Sequence, residues 1–556
     1  MSFPIEDYIN AAYQHNIQEE LDCVNTLQGT PWRVNERVLE VLEKCWYSGE
    51  QWADLPARDD IAEPKWPFGD RDRDIPFNEA ELEVYNDFNA TRRDVKQKNR
   101  KSMSKRIALE GSIKLAREYV KHDKFFYQWQ LDFRTRKYTR ESFMAPQASD
   151  EGKALILFAA GAEINSHEDA EWLAIHGANC FGVDKVSYAE REMWVLSNTK
   201  DILEVAEDPF TNKMWLDADK PWCFLAFCFE WADYTVALGN GETFITTLPC
   251  QVDGSCNGIQ HLSALTLDEE GGRAVNLLPN SKPNDIYGDV AAKAMETIKL
   301  DADNGHVYAQ YLMDVQICRT IAKKPVMIVP YNGTKSTCTR NVGDALLKKL
   351  KGETPWPLEE NYKVAAYATN HLWEALGTVI KGAREVMDYI GQIASLYGET
   401  NTLLRWVTPT GFLVEQRYFK TKTRQVRTHL DNKKLKLTYK DSVAQIDGGK
   451  YKKATSPNFV HSLDAAALTK TVNRCKDLGI LDFAMIHDSF GTHSTNMPIL
   501  NKALREAFIE TYKADPLQQM YEQAIKDLPD TCDVPKPPSK GTLDLDEVRK
   551  SEYFFA

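Results

Sequence analysis

At 556 residues the chain is long enough for three or four folding units, and 43% hydrophobic with 27% charged residues is the balance of an ordinary globular protein. No apolar run approaches the roughly eighteen residues of a membrane-spanning helix, and the longest, around Ala154 to Ala162, reads as a core element. A net charge of -13 speaks against holding nucleic acid through overall charge, so any such binding must rest on local basic patches.

The start of the chain carries Glu6, Asp7, Glu19, Glu20 and Asp22, unlike a secretory signal or an Arg-rich transit peptide. The eleven cysteines are odd in number and contain no C-x-x-C pair, which fits a reducing cytosol better than structural zinc or a disulfide framework. Residues 30–46 show helical apolar spacing through Trp32, Val34, Val38, Leu39 and Leu42. A stretch rich in Pro, Asp and Trp from Gly49 to Pro76 reads as loop or linker. From about Glu79 to His122 the pattern predicts one long helix whose middle holds Arg92, Arg93, Lys96, Lys98, Arg100, Lys101, Lys105 and Arg106. A solvated face is the simpler reading of such a run, and a phosphate-tracking helix is the alternative.

The middle of the chain alternates short apolar strands with helices, which predicts an α/β class fold, mixed α+β and helix-rich. A strand from Phe244 ends at Asp253, ahead of a Gly-rich turn through Gly254, Ser255, Asn257 and Gly258. A carboxylate there can offer its oxygens and a backbone carbonyl to a hard cation, or simply cap the next helix. In Arg319 to Tyr331 the residues Arg319, Lys323, Met327 and Tyr331 recur every fourth position. On a continuous helix they share a face about 18 Å long, with cations at one end and a phenol at the other. Pro325 and Pro330 should kink or end that helix. Between Arg417 and Lys440, Leu435, Leu437 and Tyr439 alternate with Lys434, Lys436 and Thr438, and Asp431-Asn432 supplies a turn, so a basic hairpin is predicted. It could be an ordinary surface hairpin or one that enters a DNA groove. Finally, an apolar strand from Phe483 reaches His487-Asp488-Ser489 and returns through Phe490-Gly491-Thr492, which places Asp488 at the tip of a tight hairpin.

Singly these segments are weak signals, but together and in order they resemble the signature motifs of the single-subunit RNA polymerases of T-odd phages and mitochondria. Phe133-Arg-Thr-Arg-Lys-Tyr138, His176-Gly-Ala-Asn-Cys180 with Gly182-Val-Asp-Lys185, Gly271 to Pro279, Pro457 to Ser462 and Phe554-Phe555-Ala556 are similar to further family segments, from about Asn25 to the last residue.

The resemblance implies a DNA-directed RNA polymerase that uses two Mg²⁺ ions held by Asp253, Asp488 and the Gly254 carbonyl. It also implies that Arg319, Lys323 and Lys185 bind the triphosphate and that Tyr331, assisted by His461, favours ribose. Arg134 and Arg136 match a region that contacts nucleic acid near the active site. Arg100, Lys101 and Lys105 fall where the family has its thumb, and Arg424 and Arg427 fall in its promoter-reading loop. A right hand follows, with residues 1–75 a reduced N-terminal region, 76–124 the thumb and 125–282 the first part of the palm. The fingers take 283–460, with the hairpin at about 416–442, and 461–556 form the rest of the palm and a C-terminal foot. Expected partners are a DNA template, nascent RNA and ribonucleoside triphosphates, with an accessory protein in place of the family's larger N-terminal domain, and the expected setting is the cytoplasm of an infected bacterial host. A DNA polymerase of the related class would carry a Glu soon after the first Asp, whereas Gly254-Ser-Cys-Asn-Gly258 holds no carboxylate.

Overall fold

The computed structural model describes residues 5–70, 75–430 and 433–556, and its architecture is the mixed, helix-rich α/β kind. Among the described residues the strands form two-stranded ladders, and helices supply the bulk around them. Helix α1 (Gln18–Gly29) buries Glu20, Cys23 and Leu27 along one face. The helix read into residues 30–46 needs correction. Trp32 and Val34 belong to a short strand, Trp32–Val34, paired antiparallel with Ile156–Phe158, and the helix starts only at Glu36. Asn35 sets that boundary, because its side-chain oxygen accepts the Val38 N–H at 3.3 Å and caps the helix.

Helix α2 (Glu79–Tyr119) runs for 41 residues from a capping box made by Asn78 and Glu81. It buries apolar residues against the body mainly near its end, through Leu109, Ile113 and Ala116. Its upper half is supported by the segment that composition marks as a linker. Asn99 exchanges hydrogen bonds with the Ile61 backbone at 2.9 and 2.8 Å, Arg92 pairs with Glu63 at 2.8 Å, Arg106 pairs with Asp60, and the Trp66 ring packs against Tyr85 and Phe88. Residues 58–68 are therefore a brace along the helix, one that works through side chains rather than regular backbone.

The strand read from Phe244 to Asp253 is split. Phe244–Thr246 pairs with Ala162–Ile164, and β1 (Cys250–Asp253) begins after Pro249, which has no N–H to give a ladder. Helix α3 (Asn257–Thr266) follows with every residue buried, then helix α4 (Arg319–Ile328). The basic hairpin is present as β2 (Phe419–Leu430) and β3 (Lys433–Ile446), antiparallel, with Val426 opposite Leu437 and Arg427 opposite Lys436. Its expected turn, Asp431-Asn432, lies outside the described residues. Helix α5 (Gly448–Asp477) runs 30 residues through the core, and β4 (Ser489–Thr492) then pairs antiparallel with β1, Ser489 opposite Asp253 and Thr492 opposite Cys250.

A buried ion pair locks α1 into this body. Lys137 Nζ lies 2.5 Å from Glu20, with the two side chains 1% and 0% exposed. Thr469 of α5 donates to Glu20 at 3.0 Å, and Thr410 donates to its other oxygen. Removing one member leaves the other charge unpaired in the interior, at a cost of about 3–5 kcal/mol. Lys137→Met should therefore lower stability to denaturant by that amount, and Glu20→Gln with Lys137→Met should recover most of it. A double variant no better than the single one would show that the pair itself is not what stabilises this contact.

Candidate active site

The pairing of β1 with β4 determines where the two singled-out carboxylates stand. Beyond Asp253 the contact continues, with the Gly254 N–H donating to the Asp488 carbonyl at 3.0 Å. Asp488 occupies the turn closed by the Ile486–Ser489 bridge, one residue before the partner of Asp253. Both side chains thus reach the floor of one cleft of about 400 Å³. Ala556 donates its N–H to the Asp253 carbonyl at 3.1 Å, and the Phe555 ring stands edge-on to Phe490 at 5.2 Å. A Cβ on Gly254 would lie 3.0 Å from the Phe555 ring, so any side chain there would push that ring aside by a few tenths of an ångström.

Like charges on one floor repel. Burial raises the Asp488 pKa, and the Asp253 charge raises it further. Partial loss of water within the cleft also opposes ionisation of Asp253, yet Lys220, with Nζ 3.1 Å from Oδ2, helps to hold its pKa below the ordinary carboxylate value. Lys185, Arg319 and Lys323, the three cations singled out in the sequence, line the same cleft. Lys185 is paired with Asp184 at 3.0 Å and Arg319 with Asp285 at 3.1 Å, whereas Lys323 has no ion-pair partner among the described residues.

Pro325 does not end the helix. Helix α4 continues to Ile328 and keeps Arg319, Lys323 and Met327 facing the cleft. The chain then tightens into a 3₁₀ turn, Val329–Tyr331, and leaves through Asn332 in the left-handed conformation at φ 57°. Tyr331 stands beside the cleft against Gly258, where a Cβ would lie 3.0 Å from the phenol oxygen. Its ring lies over His461, with centroids 4.8 Å apart at 37°. Arg134 Nη1 is 2.9 Å from His461 Nδ1, and a guanidinium can only donate, so Nδ1 accepts and the ring proton sits on Nε2. Burial, reinforced by Arg136 and Arg134, pushes the His461 pKa down to about 2, which makes this imidazole a neutral donor.

Arg134 and Arg136 were expected at nucleic acid, but here both have partners within the chain. Arg134 pairs with Asp132 at 2.6 Å, and Arg136 donates to the buried Asp464 at 3.1 Å. Their side chains, 19% and 13% exposed, back the Tyr331–His461 layer. Arg100, Lys101 and Lys105 are exposed on α2 and without ion pairs among the described residues. Arg424 pairs with Asp441 at 3.1 Å, while Arg427 projects from the opposite face of the hairpin. Neither patch contributes to the cleft lining.

Among the described residues no cluster of three or more His, Cys, Asp or Glu side chains could hold a metal ion. Two carboxylates and a carbonyl suit Mg²⁺ nonetheless, since that ion takes one or two carboxylates and completes its shell with water and substrate phosphates. The Gly254 carbonyl accepts the Cys256 N–H at 3.0 Å and keeps a second lone pair free. Lys220, Lys153, Asp285 and Tyr287 also line the cleft and escaped the sequence reading. Lys220 carried no local signal beyond standing just before Pro221 at a helix start; its contact with Asp253 is purely tertiary.

A family model described as DNA-dependent RNA polymerase matches residues 164–534, two thirds of the chain, and the chain belongs to that family. It is 33% identical to the DNA-directed RNA polymerase of Enterobacteria phage T3 and 33% identical to the T7 RNA polymerase of Escherichia phage T7, each over 97% of its own length and 64% of theirs. It is also 34% identical to the mitochondrial DNA-directed RNA polymerase 1B of Nicotiana tabacum, over 97% of its own length and 52% of that protein's. The chain thus spans between about half and two thirds of these relatives.

Buried and half-buried histidines, His176, His261 and His461 among them, give the fold a defined response to acid. Burial pushes the pKa of His176 down to about 4, of His261 to about 3 and of His461 to about 2, against about 6.5 in an unfolded chain. Each therefore takes up its proton on unfolding, so stability is lost as pH falls below about 6.5. Asp464, pushed up to about 6 by burial, binds a proton in the folded state and offsets one of them at lower pH. The thermal midpoint should fall from pH 6.5 to 5, and an NMR titration over that range should show these three rings without inflection. A ring at His461 titrating near 6.5 would contradict the assigned burial and tautomer.

Proposed function

We propose that this chain is a DNA-directed RNA polymerase, whose cleft joins ribonucleotides to an RNA 3′-hydroxyl on a DNA template and releases pyrophosphate. One observation carries the reading: the β1–β4 pairing puts Asp253 and Asp488 on one cleft floor, lined also by Arg319 and Lys323. The relatives named DNA-directed RNA polymerases support it.

In this reading Asp253, Asp488 and the Gly254 carbonyl hold two Mg²⁺ ions, which when bound supply a more acidic 3′-hydroxyl and charge stabilisation at the departing pyrophosphate. Lys323, without an ion-pair partner among the described residues, meets the triphosphate directly. Arg319 exchanges Asp285 for a phosphate, and Lys185 can do the same from Asp184, each gaining charge-assisted hydrogen bonds. The Tyr331 phenol and the His461 Nε2–H are the groups for the ribose 2′-hydroxyl. Arg134 fixes the tautomer that leaves that N–H available, and Gly258 and Pro330 pack beside the phenol. Most of the rate gain comes from holding reactants and fixed charges in place.

Residues 125–282 and 461–556 then act as palm, 76–124 as a thumb whose Arg100, Lys101 and Lys105 follow the hybrid backbone, and 283–460 as fingers whose hairpin presents Arg424 and Arg427 to DNA. Transcription of phage genes in a bacterial cytoplasm is the setting proposed for it, although the mitochondrial relative of Nicotiana tabacum is as similar as those of phages T3 and T7.

Extension of an RNA primer on single-stranded DNA with Mg²⁺ tests the reading. Wild type should extend with ribonucleotides, and Asp488→Ala should lower the rate by at least about a hundredfold. Tyr331→Phe should keep ribonucleotide extension while raising deoxynucleotide use. Preference of the wild type for deoxynucleotides, or undiminished extension by Asp488→Ala, would contradict it.

A further inference from the structure

We infer that Lys220 is a resident counter-ion of the carboxylate floor: its ammonium occupies the cation position at Asp253 in the nucleotide-free protein and must leave before a divalent ion takes that oxygen. The inference rests on the reading of Asp253 as a metal ligand and adds a residue that competes for the same lone pairs.

Lys220 Nζ lies 3.1 Å from Asp253 Oδ2, and the two side chains are 40% and 52% exposed. The pair therefore stands open in the cleft, unlike the sealed pair of Lys137 with Glu20. An ion pair so accessible to water is weak enough to exchange partners. The backbone beneath it is fixed, because the Lys220 N–H donates to the Cys180 carbonyl at 2.9 Å and its carbonyl accepts the Phe224 N–H at 2.9 Å. Only the side chain needs to move, and a flexible four-carbon stem bearing a point charge releases an oxygen more readily than a bidentate guanidinium would.

The other cations of the cleft are committed differently. Lys185 and Arg319 have their own carboxylates, Asp184 and Asp285. Among the described residues Lys220 alone forms an ion pair with either floor carboxylate. Without it, Asp253 and Asp488 would face each other with that neutralising charge gone. Two consequences follow: the metal-free protein loses stability, and the floor binds a divalent cation more tightly because no ammonium has to be displaced. Once displaced, the ammonium remains in the cleft lining, beside the cations that face the triphosphate.

The test is a titration of the full-length, nucleotide-free protein with Mn²⁺, followed by the paramagnetic resonance of unbound ion. Wild type, Lys220→Met, Lys220→Arg and Asp253→Asn are compared, together with their thermal midpoints without divalent ion. Asp253→Asn should lose the site, Lys220→Met should bind about two- to fivefold more tightly than wild type, and Lys220→Arg should bind as wild type does. Lys220→Met should also melt below wild type without metal, with the gap closing as Mn²⁺ is added. Equal or weaker binding by Lys220→Met, with the site still lost in Asp253→Asn, would overturn the counter-ion role and leave the metal-ligand reading standing. Identical binding by wild type and Asp253→Asn would remove that reading itself, and the inference with it.

Discussion

Four residue pairs between Cys250–Asp253 and Ser489–Thr492 carry the constraint on which the rest of the site depends. A ladder this short has little strength of its own, and it brings together two carboxylates whose charges oppose the approach. It persists because both strands are built into a dense interior. Val252 and Phe490 are buried, Phe555 closes over Phe490, and the Ala556 N–H ties the end of the chain to Asp253. Packing holds the two strands together, and Lys220 supplies the nearest compensating charge.

Around that floor, charge is arranged in two tiers. In the cleft, Lys185 and Arg319 are held by modest, accessible ion pairs that an anionic ligand can replace. Behind it, the pairs are sealed: Arg136 with Asp464, and Lys137 with Glu20. The sealed tier belongs to α5 and its neighbours and orients His461, whose tautomer follows from Arg134 as an obligate donor. In the proposed reaction the open tier meets substrate, while the sealed tier keeps Tyr331 and His461 still.

Much of the site was legible because its residues sit in local patterns. Asp253 ends a strand before glycines, Asp488 tips a hairpin, and Arg319, Lys323 and Met327 recur at helical spacing, so their local settings could be read without tertiary knowledge, while their roles came only from the family resemblance of the segments taken together. Pro325 misled, because a proline removes one hydrogen bond from a helix that tertiary packing still supports through Ile328. Residues 58–68 misled for a different reason: a brace made of side-chain contacts to α2 leaves no periodic trace. Trp32 and Val34 fit either period, and only Asn35 as a cap separates strand from helix. The inward turn of Arg134 and Arg136 was invisible, since Asp464 and His461 meet them only through the fold.

In the proposed reaction Asp253 and Asp488 hold the same pair of divalent ions. Localised cleavage by Fe²⁺ tests this most directly, because hydroxyl radicals made at the bound ion cut the backbone only a few ångströms away. With Fe²⁺ and ascorbate, cuts are expected next to both Asp253 and Asp488, each suppressed by excess Mg²⁺. Cuts beside only one of the two, or at neither, would contradict it.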